Sequence, residues 1–314
     1  LVIPTPSWVS SAPQATIIGR HIRWVPTKLA QGWRISPEEL ERICSKDPSR
    51  PRLVILNYPN NPSGTTYPRD ELKQLAEVAR RYKLIILSDE IYGEVHFEGQ
   101  HESIARYYPE GTIISSGLSK WCGAGGWRLG TFTFPRSLRW LLDAVAIVAS
   151  ETYTATSAPI QHAAVRAYQG GIEIERYLWN SRRILKRLGT ELASRLQRIG
   201  AEVPMPEGGF YLFPSFEPFR DNLQQRGIES SHEFCERLLQ ETGVAMLPGV
   251  EFGRPDNELT CRLAFVDFDG ARALVSAETH PLEQPLPEDF LEQHCNRVIT
   301  AIDLVCDWVV NSTK

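Results

Sequence analysis

The chain has 314 residues, which is enough for two domains that each bury a core of their own. A formal net charge of -4 gives no reason to expect nucleic acid or a membrane surface as a partner, and no stretch approaches the roughly 18 apolar residues of a membrane span. Six scattered cysteines without a Cys-x-x-Cys pair, and seven dispersed histidines, argue against a disulfide framework or a metal site. They predict reduced thiols in a cytoplasmic protein.

The first residues read as the middle of a strand without a starting methionine, so we expect a chain that lacks its N-terminal part. Residues 1–10 give a short apolar strand followed by a proline-rich turn. Residues 16–18 and 21–25 are weaker strand candidates on either side of Gly19. Ser36 then marks a helix start, because serine caps a first turn and the proline after it fits the first helical position.

Short buried strands alternate with helices in the next part of the chain. Each strand is a run of β-branched and other apolar residues bounded by turn formers, which is typical of a strand covered on both faces. A helix that begins at Pro68 follows the first of them. This alternation predicts an α/β domain with a mostly parallel sheet. The predicted strands cover residues 52–57, 84–88, 112–115 and 131–134.

The pattern of predicted secondary structure changes toward the C-terminus. Helical patterns cover residues 138–150, 159–168 and 172–199, and mixed strand and helix patterns follow Gly200. We therefore predict a large domain over residues 1–175 and a smaller α+β domain over residues 176–314, which includes the long helix as a bridge. Three prolines lie within residues 274–287, so this stretch is predicted to be a surface loop.

One lysine, Lys120, has an unusual setting. It follows a β-branched strand, stands between Leu118 and Trp121, and is followed by four glycines and Arg128. An ammonium group among apolar neighbours loses hydration, and its free amine then becomes available as a nucleophile toward a carbonyl carbon. Taken alone, a surface lysine beside a glycine-rich turn is the better explanation of the stretch.

Further polar residues follow the predicted strands, where the ligands of open α/β sheets bind. Arg128 suits a phosphate, Asp89 suits a protonated pyridine nitrogen, and Tyr92 and Asn61 suit a phenolic oxygen. With Lys120 as the imine-forming amine, this is the set of groups that pyridoxal phosphate needs. Each residue also has a purely structural reading as a turn former, a helix cap or a surface ion pair.

In its motifs the chain resembles the class I/II, fold type I, pyridoxal-phosphate-dependent aminotransferases of the aspartate and aromatic type. The motifs that carry the resemblance occur in order along almost the whole chain, which makes chance very improbable. They are Pro-Ser-Trp at 6–8, Asn-Tyr-Pro-Asn-Asn-Pro-Ser-Gly at 57–64, Ser-Asp-Glu-Ile-Tyr at 88–92, Ser-Gly-Leu-Ser-Lys at 116–120, Gly-Trp-Arg-Leu-Gly at 126–130, Gly-Gly-Phe-Tyr-Leu-Phe at 208–213, Pro-Gly-Val-Glu-Phe-Gly at 248–253 and Cys-Arg-Leu-Ala-Phe at 261–265.

The resemblance implies a fold type I architecture, a homodimer, and transfer of an amino group from an L-amino acid to a 2-oxo acid through an aldimine on Lys120. It also implies that Arg262 binds the substrate α-carboxylate beside Asn61. The residues that would contact the cofactor are Trp8 on the ring face, Asn61 and Tyr92 on the ring oxygen, Asp89 on the ring nitrogen, Ser119 and Arg128 on the phosphate, and Lys120 on the aldehyde carbon.

The chain departs from this family in three places. The family carries a long segment before the Pro-Ser-Trp motif, including a helix N-terminus for the phosphate, and that segment is absent here. Gly117 replaces a phosphate-binding serine of some relatives. The stretch from Asp267 to Pro287 looks longer than the usual link between the arginine strand and the last helix.

Three other interpretations remain open at this stage. A pyridoxal-phosphate-dependent C–S lyase or synthase of the same fold would share these core residues. The chain is alternatively a catalytically incomplete fragment or a non-catalytic relative. A dinucleotide loop at residues 123–126 is the weakest interpretation, because its glycines lack the Gly-x-Gly-x-x-Gly spacing directly after a strand.

Overall fold

The structure is a computed structural model, and it describes residues 1–311; the last three residues of the predicted second domain lie outside this range. The strands are β1 (Val2–Thr5), β2 (Arg23–Pro26), β3 (Leu53–Asn57), β4 (Ile85–Asp89), β5 (Thr112–Gly117), β6 (Gly130–Thr133), β7 (Tyr211–Leu212), β8 (Leu247–Pro248) and β9 (Cys261–Ala264). The helices are α1 (Ser11–Ile17), α2 (Pro37–Ser45), α3 (Arg69–Arg81), α4 (Arg139–Thr152), α5 (Ala158–Tyr168), α6 (Ile172–Ile199), α7 (Arg220–Gln225), α8 (Ser231–Thr242), α9 (Gly270–Glu278), α10 (Phe290–His294) and α11 (Asn296–Val310).

A six-stranded sheet in the order β2-β1-β3-β4-β5-β6 forms the centre of the first half. Its first five strands run parallel and β6 runs antiparallel to β5, which confirms the predicted α/β fold with a mostly parallel sheet. The register places Asn57 beside Asp89 and Asp89 beside Ser115. Three polar side chains therefore stand side by side where β3, β4 and β5 end.

Helices α2 and α3 cover one side of this sheet with an apolar core. Ser36 caps α2 as predicted, since its hydroxyl accepts a hydrogen bond from the Glu39 amide at 3.2 Å. In α3, Leu72, Leu75, Ala76 and Ala79 are buried, which is the stripe expected of an amphipathic helix. Their packing against β3 and β4 holds the ends of these strands in place.

A second, three-stranded antiparallel sheet in the order β7-β9-β8 lies in the C-terminal half. Helices α6, α8 and α11 bury their apolar faces in a core that contains Phe216 and Phe234. This core continues to Leu118 and Trp121 next to Lys120. The division of the chain at residues 175 and 176 stays a prediction.

Two predictions about local structure are wrong. Residues 16–18 are not a strand, because Thr16 and Ile17 belong to α1, which buries Ser11 and Ala15 and leaves Ile17 exposed. Residues 274–287 are not entirely a loop, because α9 occupies the stretch as far as Glu278. The Asp269 side chain starts α9 by accepting a hydrogen bond from the Arg272 amide at 3.0 Å.

Helix α4 differs from the others in that none of its residues is buried. Trp140, Ile147 and Val148 are 63%, 69% and 62% exposed. Phe132 on the edge strand β6 is also exposed. Trp140, Ile147 and Val148 share one face of α4, and large exposed apolar side chains on one face mark a region that another surface covers.

None of the helices within residues 1–311 combines the length and the apolar character needed to cross a membrane. The same residues contain no cluster of three or more His, Cys, Asp or Glu side chains with the arrangement of a metal site.

Candidate active site

A cavity of about 470 Å³ lies at the carboxyl ends of β3, β4 and β5, where the second sheet faces the first. All eight residues predicted from the sequence to form the site line this cavity, together with Asn57, Ile91, Ser115, Gly125 and Tyr211. The eight residues are Trp8, Asn61, Asp89, Tyr92, Ser119, Lys120, Arg128 and Arg262.

Lys120 enters the cavity from the loop after β5. Its neighbours Leu118 and Trp121 are 1% and 5% exposed, so they anchor the loop in the core while the lysine side chain turns toward the cavity. The Lys120 Nζ lies 5.8 Å from the ring centroid of Tyr92 and 6.0 Å from that of Phe210. No carboxylate of residues 1–311 lies within ion-pair distance of this amine, so it is open to a ligand.

Asp89 is the last residue of β4. Its Oδ2 accepts a hydrogen bond from Asn57 Nδ2 at 3.1 Å, and its Oδ1 accepts one from the Ile91 amide at 3.4 Å. Loss of hydration, with the Glu90 carboxylate nearby, raises the pKa of Asp89 to about 6. The charge of Lys120 lowers this pKa in part, but Lys120 and Asp89 form no ion pair. A protonated nitrogen of a ligand would supply the directly bonded positive partner that this carboxylate lacks.

Tyr92 and Asn61 both line the cavity and are almost fully buried. The Tyr92 hydroxyl donates toward the Tyr211 hydroxyl over 3.4 Å, and burial, followed by the influence of Tyr211, raises the pKa of Tyr92. The backbone amide of Asn61 donates a hydrogen bond to Asn57 Oδ1 at 2.7 Å, which fixes the loop after β3. Both side chains therefore present polar groups at fixed positions.

Arg262 extends from β9 in the second sheet. Its guanidinium lies 4.6 Å from the ring centroid of Tyr211 and 5.1 Å from that of Phe252, and its Nη1 donates to Asn61 Oδ1 at 3.2 Å. The Nε atom is buried without a hydrogen-bond partner, and loss of hydration lowers the pKa of Arg262. A carboxylate is the ligand that best satisfies such a cation, because it accepts two parallel hydrogen bonds.

Arg128 and Ser119 lie near Gly125 at the open end of the cavity. Arg128 has a φ of 55°, which turns the chain sharply after the glycines, and its Nη1 donates to the Gly125 carbonyl at 2.6 Å. Its side chain is exposed. Trp8, which is 40% exposed, lies on the rim. This end of the cavity offers a cation, a hydroxyl and an aromatic ring.

Sequence reasoning assigned no role to Asn57, Ser115 and Tyr211. The first two flank Asp89 across the sheet, and the parallel register brings them there. Tyr211 and Phe210 lie in the Gly-Gly-Phe-Tyr-Leu-Phe motif and form the aromatic wall between Lys120 and Arg262. The sequence motifs include Asn57 and Tyr211, but only the strand register shows which residues flank Asp89, and only the packing shows which rings line the wall.

The family model "Aminotransferase class I and II" matches residues 1–272 of the chain. An aspartate aminotransferase of Geobacillus stearothermophilus is 34% identical over 261 residues, which cover 82% of this chain and 64% of that protein. An asparagine–oxo-acid transaminase of Streptococcus mutans is 30% identical over 264 residues, with coverages of 82% and 64%. The chain thus spans about 64% of the length of these curated relatives.

Solved structures give the same result for the fold. The structure of aspartate aminotransferase from Thermus thermophilus with maleate superposes with a TM-score of 0.78 at 26% identity, covering 98% of this chain and 69% of that one. An aromatic aminotransferase from Pyrococcus horikoshii superposes with a TM-score of 0.74 at 28% identity, covering 96% and 74%.

Proposed function

Because the chain belongs to the class I and II aminotransferase family, we propose that it binds pyridoxal phosphate in the cavity described above. We further propose that it transfers an amino group from an L-amino acid to a 2-oxo acid. The observation that supports this most strongly is that Lys120, Asp89, Arg128 and Arg262 line one cavity.

The charges of the cavity fit pyridoxal phosphate. Asp89 is a desolvated carboxylate that feels the charge of Lys120 but forms no ion pair, which suits the protonated ring nitrogen of the cofactor. Arg128 and the Ser119 hydroxyl lie together at the open end, where they would hold the phosphate. Trp8 on the rim would cover a ring face, and Tyr92 and Asn61 would bind the ring oxygen.

When bound, pyridoxal phosphate supplies a carbonyl carbon that takes up amino groups and a ring that draws electrons from the substrate Cα. Lys120 lies against aromatic walls without an ion pair among the described carboxylates, and as the free amine its Nζ would accept the proton from that Cα and deliver it to the former carbonyl carbon. Asp89 would hold the proton on the ring nitrogen. Lys120 thus acts on the proton of the substrate Cα, and Asp89 acts on the proton of the ring nitrogen.

The substrate carboxylate would bind to Arg262. Its guanidinium lies on the rings of Tyr211 and Phe252 and retains a buried Nε–H without a partner. A bidentate pair with a carboxylate fixes both the position and the direction of an amino acid. Asn61, which already accepts a hydrogen bond from Arg262, would hold the guanidinium in that orientation.

We propose amino donors of the aspartate or aromatic type, with a second 2-oxo acid as acceptor. The support comes from the printed names of relatives, which include aspartate, asparagine–oxo-acid and aromatic-amino-acid aminotransferases. The relatives with these names are transaminases, which favours this activity over a C–S lyase. We also propose a cytoplasmic location, which the six free cysteines favour.

We propose that the working protein is a homodimer. The support is the exposed apolar surface formed by Trp140, Ile147 and Val148 of α4 and by Phe132 of β6. A second copy of the same surface would remove these side chains from water in a two-fold symmetric contact.

A single-turnover assay tests the proposed activity. The chain is loaded with pyridoxal phosphate, mixed with aspartate without any oxo acid, and analysed for the 2-oxo acid of aspartate. We expect at most one equivalent of oxo acid per site, and none from the Lys120→Ala variant. Release of pyruvate and ammonia from a thioether amino acid, without oxo acid from aspartate, would instead establish the lyase.

A further inference from the structure

Arg254 is a buried cation outside the cavity. Its side chain is only 8% exposed and forms a bidentate ion pair with Glu258, with both contacts at 2.8 Å. The guanidinium also lies 4.9 Å from the ring centroid of Trp33. Burying a guanidinium costs free energy unless its N–H groups all find partners, so this position needs an explanation.

The remaining hydrogen bonds of Arg254 cross to the first sheet. Its Nη1 donates to the Thr5 carbonyl at 3.2 Å, to Thr5 Oγ1 at 3.3 Å and to the Thr27 carbonyl at 3.1 Å. Thr5 ends β1, and Thr27 directly follows β2. One side chain from the segment between β8 and β9 thus ties the two halves of the molecule together.

The two residues before Arg254 reinforce this connection. The Phe252 carbonyl accepts a hydrogen bond from the Ser7 amide at 3.0 Å, directly before Trp8. Gly253 has a φ of 81°, and a Cβ there would lie 2.7 Å from the Trp24 ring and 3.0 Å from Thr5. Glycine is therefore required at this close approach. We call residues 252–254 the strap.

The strap also forms part of the support of Arg262. Phe252 is 1% exposed, and its ring lies between the Phe213 ring, at a centroid distance of 5.6 Å, and the Arg262 guanidinium, at 5.1 Å. A movement of the strap would therefore move one of the two rings against which Arg262 is packed. β1 itself is held by its ladders to β2 and β3.

We propose that Arg254 is a positioning residue that sets the place of Arg262 relative to Trp8, and hence the place of the substrate carboxylate relative to the cofactor ring. This inference rests on the proposed function. Arg254 contacts neither ligand. It acts by fixing the strap to the ends of β1 and β2, and Phe252 transmits that position to Arg262.

The test compares Arg254→Lys with Arg220→Lys. The lysine keeps the charge at residue 254 but cannot reach Glu258 and the two threonines together. Arg220 is a matched control, because it forms a bidentate pair with Glu217 and donates to the Asn257 carbonyl without contacting the strap. Glu258→Gln serves as a second test variant if Arg254→Lys does not fold.

Two readouts are measured for each variant. The first is the ¹⁵N–¹H resonance of the Arg262 Nε–H in the chain without cofactor, which does not depend on the proposed function. The second is the pair of dissociation constants for pyridoxal phosphate and, in the loaded chain, for 2-methylaspartate, an aspartate that has no Cα–H and therefore does not react. We expect Arg254→Lys to shift the Arg262 resonance and to weaken binding of this aspartate about tenfold or more, with cofactor affinity within about twofold of the parent.

An unshifted Arg262 resonance in folded Arg254→Lys and Glu258→Gln would overturn the proposal. Equal losses of aspartate and cofactor affinity, or equal losses in Arg220→Lys, would also overturn it, because they indicate a general effect on the fold. If the parent chain binds neither ligand, the proposed function fails, while the Arg262 resonance still decides whether Arg254 positions Arg262.

Discussion

At the scale of single residues, the site contains charged groups whose surroundings disfavour the charged form. Asp89 loses hydration and forms no ion pair, although the charge of Lys120 partly offsets that loss, and Arg262 keeps a buried Nε–H without an acceptor. Such arrangements lower the stability of the empty protein and are typical of binding sites, where a ligand supplies what is missing. The ligand inferred from these residues is positively charged beside Asp89 and negatively charged beside Arg262.

Replacing Asp89 tests this view of the empty site. The pKa of Asp89 is raised from 3.8 to about 6 in the folded chain, so the folded state holds the proton more tightly than the unfolded chain does. The protonated carboxyl therefore favours the fold below about pH 4, and this contribution is lost as the pH rises through 6. We expect Asp89→Asn to increase the free energy of unfolding at neutral pH by on the order of 3 kcal/mol, since one pKa unit corresponds to about 1.4 kcal/mol.

The measurement is denaturant unfolding of the chain without cofactor across this pH range. The difference between Asp89→Asn and the parent should vanish near pH 4, and the variant should lose affinity for pyridoxal phosphate. Asp221→Asn, at an exposed aspartate of α7, is the control and should change neither property. A loss of stability at neutral pH in Asp89→Asn would contradict the account.

At the scale of elements, the sequence was sufficient where one local rule decides the structure. The cap at Ser36, the buried stripe of α3 and the strands β3 to β5 follow from such rules. The sequence-based prediction was wrong at residues 16–18, where a β-branched run lies at the end of a short helix and stays largely exposed. The preference of these residues for a strand is weak, and the burial of Ala15 on one side of α1 favours the helix instead.

The candidate site was predictable to a similar extent. The eight predicted residues line one cavity because the motifs mark the ends of neighbouring strands. Asn57 and Ser115 could be assigned to the site only from the register of the sheet. The contact between Arg254 and Thr5 joins residues 249 positions apart. Such long-range contacts produce no periodic pattern in a single sequence, so the sequence alone does not predict them.

The stretch after β9 gains a structural explanation at this scale. Arg183 of α6 donates to the carbonyls of Ala277, His280 and Pro281 at the end of α9, with the last two at 3.0 and 2.9 Å. Its cationic side chain is therefore a donor to the His280 carbonyl and an additional donor to the carbonyls of Ala277 and Pro281, which also accept hydrogen bonds from the amides of His280 and Gln284. Arg187 of the same helix donates to the carbonyls of Leu286 and Glu288 at 3.0 Å each.

We expect Arg183→Ala to loosen residues 279–288 without unfolding the protein. Removing the guanidinium leaves the His280 carbonyl without its donor, while the carbonyls of Ala277 and Pro281 lose one of their donors and keep the amides of His280 and Gln284. Leaving a carbonyl without a partner costs about 1–3 kcal/mol. Amide hydrogen exchange within this stretch should become faster by tenfold or more, while exchange in β3 and β4 stays unchanged. Arg176→Ala, at an exposed position of α6, provides the control. Equal exchange rates in the two variants would show that Arg183 does not hold the loop.

At the scale of the whole molecule, the two halves differ in how completely their apolar helix faces are buried. The C-terminal half buries the apolar faces of α6, α8 and α11, whereas α4 leaves its apolar residues in water. A single exposed apolar residue needs no explanation, but three large ones at positions i, i+7 and i+8 on one face of α4 do. A second copy of the chain is the occupant that the proposed function favours.

A charge on α4 tests the proposed dimer. Ile147→Asp places a carboxylate in the centre of the exposed surface, where self-association would have to bury it. We expect a dimer of the parent chain by light scattering after gel filtration, and a monomer of Ile147→Asp with an unchanged circular dichroism spectrum. Val275→Asp, on the exposed side of α9, should remain dimeric. A monomeric parent chain would refute a dimer of this chain.

The central claim is that Lys120 is the amine that binds the cofactor. The direct test is to mix the chain with pyridoxal phosphate, reduce with borohydride and map the modified peptides by mass spectrometry. The account predicts a phosphopyridoxyl group on Lys120 at low excess of cofactor, together with loss of this labelling in Asp89→Asn at the same concentration. Labelling spread over exposed lysines such as Lys46 and Lys73, with Lys120 unmodified, would contradict it.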